Sequence, residues 1–328
     1  MTRFLDLAAL DDAQIAGLLR RARELQQAPI SDALRGKVLA LLFMNPSLRT
    51  LASFQAGMAQ LGGSSFVIAP GAGSWALETQ PGVVMDGDKP EHIREAIPVL
   101  AGYADALGVR AFATQKDVRE DLEEVFLREL NAITPGPLIN MESAANHPCQ
   151  ALAEWKALDD LEIPHDGRIV LSWMWHPKAL AYAVPAATAT MAARRGMDLV
   201  IARPDGYDLP DLVMDRIYRE ASRSGGRVTI TDDRQAAMQG AHVLYAKSWA
   251  RADVPGGYGA PETHLRHWCA DETWYGPARP EAKFFHCLPL RRNVEATDAL
   301  LDGPRSEVQR VANNRLHVQK AILMEMLS

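Results

Sequence analysis

Ser47, Arg49 and Thr50 lie within one helical turn of each other, directly after the apolar run Val38–Met44 and the break Asn45-Pro46. Apolar residues then recur at Leu48, Leu51, Phe54, Met58 and Leu61, a helical spacing closed by Gly62-Gly63. A buried strand running through a tight turn into a helix N-terminus leaves backbone N–H groups free. Two hydroxyls and a guanidinium at that point suit a phosphate dianion. The plainer reading is a helix capped by Ser47 with a solvated arginine. A second guanidinium, Arg110, closes the apolar run of Ala106–Phe112. In open parallel sheets ligands gather at the carboxyl ends of strands, so two arginines at such ends strengthen the anion reading. Glu142 follows the run Leu138–Met141, and His147-Pro148-Cys149-Gln150 opens the next helix, with Pro148 suited to its first turn. His147 either caps that helix or points with Gln150 into the same crevice.

These groups need a scaffold of alternating strands and helices. Residues 11–26 read as a helix with Asp11 and Asp12 at its start and one apolar face of Ile15, Leu18, Leu19, Ala22 and Leu25. Strands follow at 38–44, 65–69, 106–112 and 138–141, and helices at 92–103, 117–131 and 149–160. The second half repeats the pattern, with strands at 167–173, 198–202, 227–230, 243–246 and 283–285. Its helices fall in 175–196, at 210–224 and 233–239, and last at 313–327. This is an α/β chain with mainly parallel sheets. Residues 70–91 (PGAGSWALETQPGVVMDGDKPE) read as a long functional loop, with Trp75 packed on its own domain or on a neighbouring subunit's site.

The 328 residues, 48% hydrophobic and 23% charged, suit a two-domain globular protein. The formal net charge of −6 and the absence of a basic block argue against nucleic acid, so an anionic ligand needs a local basic cluster. No signal-peptide core follows the Met1–Arg3 start, and no run reaches membrane-spanning length. Cys149, Cys269 and Cys287 have no pairing or metal spacing. A cytoplasmic, reduced protein without membrane, metal or cofactor is therefore expected. No G-x-G-x-x-G follows the strands of the second half, which counts against a nicotinamide dehydrogenase of similar fold.

Four fragments together resemble the aspartate/ornithine carbamoyltransferase family: Ser47-Leu48-Arg49-Thr50, His147-Pro148-Cys149-Gln150, His286-Cys287-Leu288-Pro289 and Asn314-Arg315. Their order and intervals match along the whole chain. The resemblance implies two doubly wound parallel-sheet domains joined by two helices. Residues 1–150 would form a carbamoyl-phosphate domain, to which helix 313–328 returns, and 151–312 an amino-acid domain. It also implies a homotrimer with shared sites. Ser47, Leu48, Arg49 and Thr50 would bind the phosphate. Arg110, His147, Gln150, Arg315 and the Cys287 and Leu288 carbonyls would hold the carbamoyl end, with Trp75 entering from the neighbouring subunit. Arg110, His147 and Thr50 would stabilise the oxyanion. A binding paralogue without activity would not need the full set of His147, Gln150, Lys247 and Arg291.

The acceptor is read at Tyr245-Ala246-Lys247-Ser248-Trp249. Ornithine carbamoyltransferases place there an aspartate, followed by Ser-Met-Gly, that pairs with the free α-ammonium. Lys247 would repel that ammonium by several kcal/mol, on the order expected at ~4 Å and an effective dielectric near 20. An acylated amine removes the charge. The sequence thus resembles the N-acylornithine branch, whose acceptor contacts match Glu142, His176, Lys247, Leu288 and Arg291. Pro90 stands where the N-acetylornithine enzymes carry a glutamate, and the step from Glu142 to His147 also matches the N-succinylornithine enzymes. Succinylornithine is the expected acceptor and acetylornithine the alternative, favoured by the stretch Asn314–Lys320. Glu295, where the acetyl enzymes carry a lysine that can be carboxylated, either replaces that group or sits in solvent, and solvent is the expectation. Leu51 replaces an arginine common after this motif.

Overall fold

The computed structural model describes all 328 residues, Met1–Ser328. Its strands, in chain order, are β1 (Arg3–Phe4), β2 (Val38–Phe43), β3 (Ser64–Ile68), β4 (Leu77–Glu78), β5 (Glu91–His92), β6 (Ala106–Arg110), β7 (Leu138–Glu142), β8 (Arg168–Trp173), β9 (Asp198–Ala202), β10 (Arg227–Thr231), β11 (Val243–Lys247) and β12 (Lys283–Phe285). Two five-stranded sheets result, ordered β1-β7-β6-β2-β3 and β10-β9-β8-β11-β12, with every neighbouring pair parallel. The central strands are buried on both faces and are nearly continuous in Leu, Val and Ile, as parallel sheets between helical layers require. The expected α/β architecture of two doubly wound sheets is present.

In each sheet the chain runs outward in one direction and then restarts on the other side of its first long strand. The first sheet reverses between β2 and β6, and the second between β8 and β11. Such reversals open a crevice at the strands' carboxyl ends. Two helices join the halves. Pro148–Asp160 leads from the first sheet to the second, and Val308–Leu327 returns, packing along Pro148–Asp160, Asp12–Gln27 and Leu48–Gln60. No helix is long and apolar enough to cross a membrane.

Several expectations need correction. The last helix begins at Val308, five residues before 313, because only its later turns carry a continuous apolar face. The helix expected over 117–131 is two, Val118–Leu122 and Val125–Ile133. Glu124 between them is left-handed (φ 51), and its carboxylate accepts from Ser143 and from the Ala145 N–H. Leu48 is not part of the apolar face of its helix but is 81% exposed at the first turn. The loop 70–91 holds β4, which pairs with β5 at its far end. The edge strand β1 had no periodic signal because it has only two residues.

Candidate active site

The two sheet reversals face one cavity of about 540 Å³. At its first end, Ser47 caps Leu48–Gln60 as expected, accepting from the Thr50 N–H at 3.2 Å. The first N–H groups of a helix have no intrahelical partner, so the turn presents donors beside the Arg49 guanidinium. Arg110 ends β6 at a register shift against β7, where Val109 faces Asn140 but Arg110 faces Glu142. Such a bulge re-aims a side chain. Arg110 is buried, pairs with Glu142 and stacks over Phe112 with 4.4 Å to the ring centroid.

Arg315 arrives from the last helix. Its Nη2 donates to Thr50 Oγ1 at 2.6 Å, and Arg110 Nη1 donates to the same oxygen at 3.4 Å. With two cationic donors on its lone pairs, the Thr50 hydroxyl must direct its own proton elsewhere. Burial lowers Arg315 to about 10, so it stays charged at neutral pH.

His147 is buried and makes no cap hydrogen bond, so the capping alternative does not hold. Its Nε2 lies 3.2 Å from Glu142 Oε2. Burial, reinforced by Arg315, Arg110 and Arg49, holds its pKa well below the ordinary histidine value, leaving a neutral ring. Arg49 Nε, Arg110 Nε, Gln150 Oε1 and Arg315 Nε are buried without a protein partner. Buried polar atoms in this state are rare in native proteins and here mark a place for a polar ligand.

The second end is built by His176, just past β8, by Lys247 at the end of β11 and by Arg291. Arg291 Nε donates to His176 Nε2 at 3.0 Å. His176 Nδ1 lies 3.0 Å from the Lys178 carbonyl and also faces the Lys178 N–H at 3.1 Å. After β12, His286 Nδ1 accepts from the Leu288 N–H at 2.8 Å and fixes the turn in which Leu288 is left-handed (φ 56). Cys287 and Leu288 both line the cavity.

Glu295 is not in solvent: it is 1% exposed, lines the cavity and accepts from the Arg291 N–H at 2.9 Å. Burial favours its neutral form, but His286, Lys247 and that N–H outweigh it and hold the carboxyl below its usual range. The signal for this was its position four residues after Arg291, where a tight turn brings carboxylate and N–H together. Asn45, Phe112, Gln115 and Ser143 also line the cavity and carry no pattern of their own.

Of the residues singled out from the sequence, Ser47, Arg49, Arg110, Glu142, His147 and Gln150 line the cavity, as do His176, Lys247, Cys287, Leu288, Arg291 and Arg315. Thr50 lies behind its wall. Leu48, Trp75 and Pro90 do not reach it. Trp75 is 60% exposed, with its indole N–H on Glu91 Oε2 at 2.7 Å, and Pro90 is exposed on the same loop.

Two family models match. Residues 2–159 match the aspartate/ornithine carbamoyltransferase carbamoyl-P binding domain, and 183–326 match the Asp/Orn binding domain of the same family. N-acetylornithine carbamoyltransferase of Xanthomonas campestris pv. campestris is 40% identical over 331 residues, 98% of this chain and 97% of that one. N-succinylornithine carbamoyltransferase of Bacteroides thetaiotaomicron is 36% identical over 281 residues, 86% of this chain and 84% of that one. Among solved structures, a glutamate-to-proline variant of N-acetyl-L-ornithine transcarbamylase superposes with a TM-score of 0.94. It is 39% identical, the match covers 99% of this chain and 100% of the other, and it was complexed with carbamyl phosphate and N-succinyl-L-norvaline.

Proposed function

The chain belongs to the aspartate/ornithine carbamoyltransferase family and is a carbamoyltransferase, and from that premise we propose that it carbamoylates the side-chain amine of an N-acylornithine, with N-succinyl-L-ornithine as the acceptor. The products are N-succinyl-L-citrulline and phosphate, a step of arginine synthesis. The observation that carries the acylated acceptor is Lys247, a cation in the cavity wall where an aspartate would be needed to pair with a free α-ammonium. Lys247 and Arg291 can instead hold carboxylates. The relatives just described act on acylated ornithines, which supports this reading.

In the proposed reaction, Arg49, Ser47 and the helix N-terminus hold the phosphate. Arg110 and the Thr50 hydroxyl donate to the carbamoyl oxygen as the amine attacks and an oxyanion develops, and the one N–H of neutral His147, on the Nε2 that faces Glu142 at 3.2 Å, joins them by turning to the substrate. Phosphate then leaves toward Arg49, and one of its oxygens accepts the amine proton. The amine must arrive neutral, against a lysine-like pKa of about 10.4. Little acid–base machinery is required, because holding two reactants in register supplies roughly 7–11 kcal/mol in well-oriented reactions.

Pro90 favours the succinyl group. A glutamate at this place would crowd and repel the second carboxylate of a succinyl acceptor, and the proline removes both charge and bulk. A glutamate-to-proline variant of an acetylornithine enzyme complexed with a succinyl compound is in keeping with this. Acetylornithine is the second reading, favoured by the higher identity to the acetylornithine enzyme. Since Trp75 and Pro90 are exposed away from their own cavity, the proposal requires a neighbouring subunit to receive them, in a homotrimer. Phosphate release from carbamoyl phosphate, measured side by side with N-succinyl-ornithine, N-acetyl-ornithine and ornithine, tests the reading. Turnover of the succinyl compound alone is expected. Turnover of the acetyl compound would remove the argument at Pro90, and turnover of ornithine would remove the one at Lys247.

A further inference from the structure

Glu154 is fully buried in the helix Pro148–Asp160, one turn beyond Gln150, and lies outside the cavity wall. Its carboxylate collects three donors from three elements. Gln150 Nε2 donates to Oε1 at 3.0 Å, the Tyr245 hydroxyl of β11 donates to the same oxygen, and Thr188 Oγ1 of the helix Ala183–Arg195 donates to Oε2 at 2.8 Å. An ionised carboxylate only accepts. It therefore selects one of the two orientations of the Gln150 amide, with the NH2 turned toward Glu154 and Oε1 turned away. That oxygen is buried, has no protein partner, and belongs to a residue lining the cavity.

We propose that Glu154 is a positioning residue that holds the Gln150 amide with its oxygen toward the cavity, where it accepts from the NH2 of carbamoyl phosphate. This rests on the reading that Gln150 contacts the carbamoyl end. The reversed amide would set NH2 against NH2. A protonated Glu154 favours that reversal, since its new O–H can donate to Gln150 Oε1. Burial pushes Glu154 up to about 7, against the pull of its three donors and of Arg315 on the last helix. Cys287, beyond β12, is the remaining titratable group facing it, and burial keeps that thiol neutral. The affinity for carbamoyl phosphate therefore weakens as pH falls through about 7.

The experiment is a double-mutant cycle with Glu154→Gln and Gln150→Ala, reading KM for carbamoyl phosphate against pH, with melting temperature as the control for folding. A glutamine at 154 offers one acceptor oxygen to three donors and can itself donate to Gln150. Each single variant is expected to raise KM about tenfold, the upper scale of one lost neutral hydrogen bond. The double variant should be no worse than Gln150→Ala alone, and Glu154→Gln should lose the acid weakening. Equal KM for Glu154→Gln and wild type beside a raised KM for Gln150→Ala overturns the proposal, as do effects that multiply in the double variant. An unchanged KM for Gln150→Ala overturns the underlying reading of Gln150 and the proposal with it. If Glu154→Gln does not fold, Thr188→Val replaces it. Loss of a donor to the carboxylate raises its pKa, so the acid weakening moves to higher pH, and an unmoved profile overturns the proposal.

Discussion

The two ends of the cavity are built from different material. The first end stands on a capped helix, two strand ends and the last helix, and two of its arginines, Arg110 and Arg315, converge on one buried threonine hydroxyl. Of its charged side chains, Arg110 and Arg315 are nearly inaccessible and packed among secondary-structure elements. The second end relies on one strand end, Lys247, and otherwise on segments without regular structure, from which His176, Arg291 and Glu295 hold one another. Rigid elements fix a ligand's position, and irregular segments allow its shape to be changed without disturbing the sheet. The first end is thus suited to the substrate shared across a family, and the second to the one that differs.

The largest expected effect lies at the first end. Arg49→Ala removes a charge-assisted partner of the phosphate, at about 1.5–3 kcal/mol per bond, and should weaken carbamoyl-phosphate binding by about a hundredfold. Calorimetry showing unchanged affinity would remove the phosphate assignment. At the second end, Lys247→Gln should raise KM for the acylornithine by about tenfold while leaving the affinity for carbamoyl phosphate as it was. A loss of both affinities would mean that the two ends are one unit and the comparison is false.

Pro90→Glu should act on neither end of its own chain. It is expected to shift the ratio of efficiencies toward the acetyl acceptor by about fivefold, on the order of 1 kcal/mol for one carboxylate repulsion in a screened setting. An unchanged ratio would show that Pro90 is not the selector, and an altered melting temperature would show that the exposed loop bears on the fold.

The smallest effect is on stability. The folded state holds His147 neutral, with its pKa well below the ordinary value of 6.5. As pH falls below that value the unfolded chain binds a proton that the folded chain does not, so stability falls with pH in that window. His147→Asn removes one such group, and its melting temperature should fall less than that of wild type between pH 7 and pH 5. An identical slope would place the charged imidazole in the native state and remove it as a neutral donor.

Much of this was legible in the residues themselves. The strand-then-helix spacing around Ser47, the apolar runs ending in Arg110 and Lys247, and the Pro148 helix start are local features, set by φ/ψ preferences and burial periodicity within a few residues. They set the α/β class, the order of the elements and the groups at the first end of the cavity. Tertiary structure alone decided what depends on contacts distant along the chain. Arg315 reaches Thr50 across 265 positions, and no local pattern could tell that its guanidinium is buried there. Glu295 looked like a surface carboxylate because Lys247, at the end of β11, and His286, just past β12, are brought to it only by the assembled sheet. The helix over 117–131 broke at Glu124 because the loop after β7 claims that carboxylate. Periodicity reports which face of an element is covered, and only the assembled sheets determine which charged group meets which.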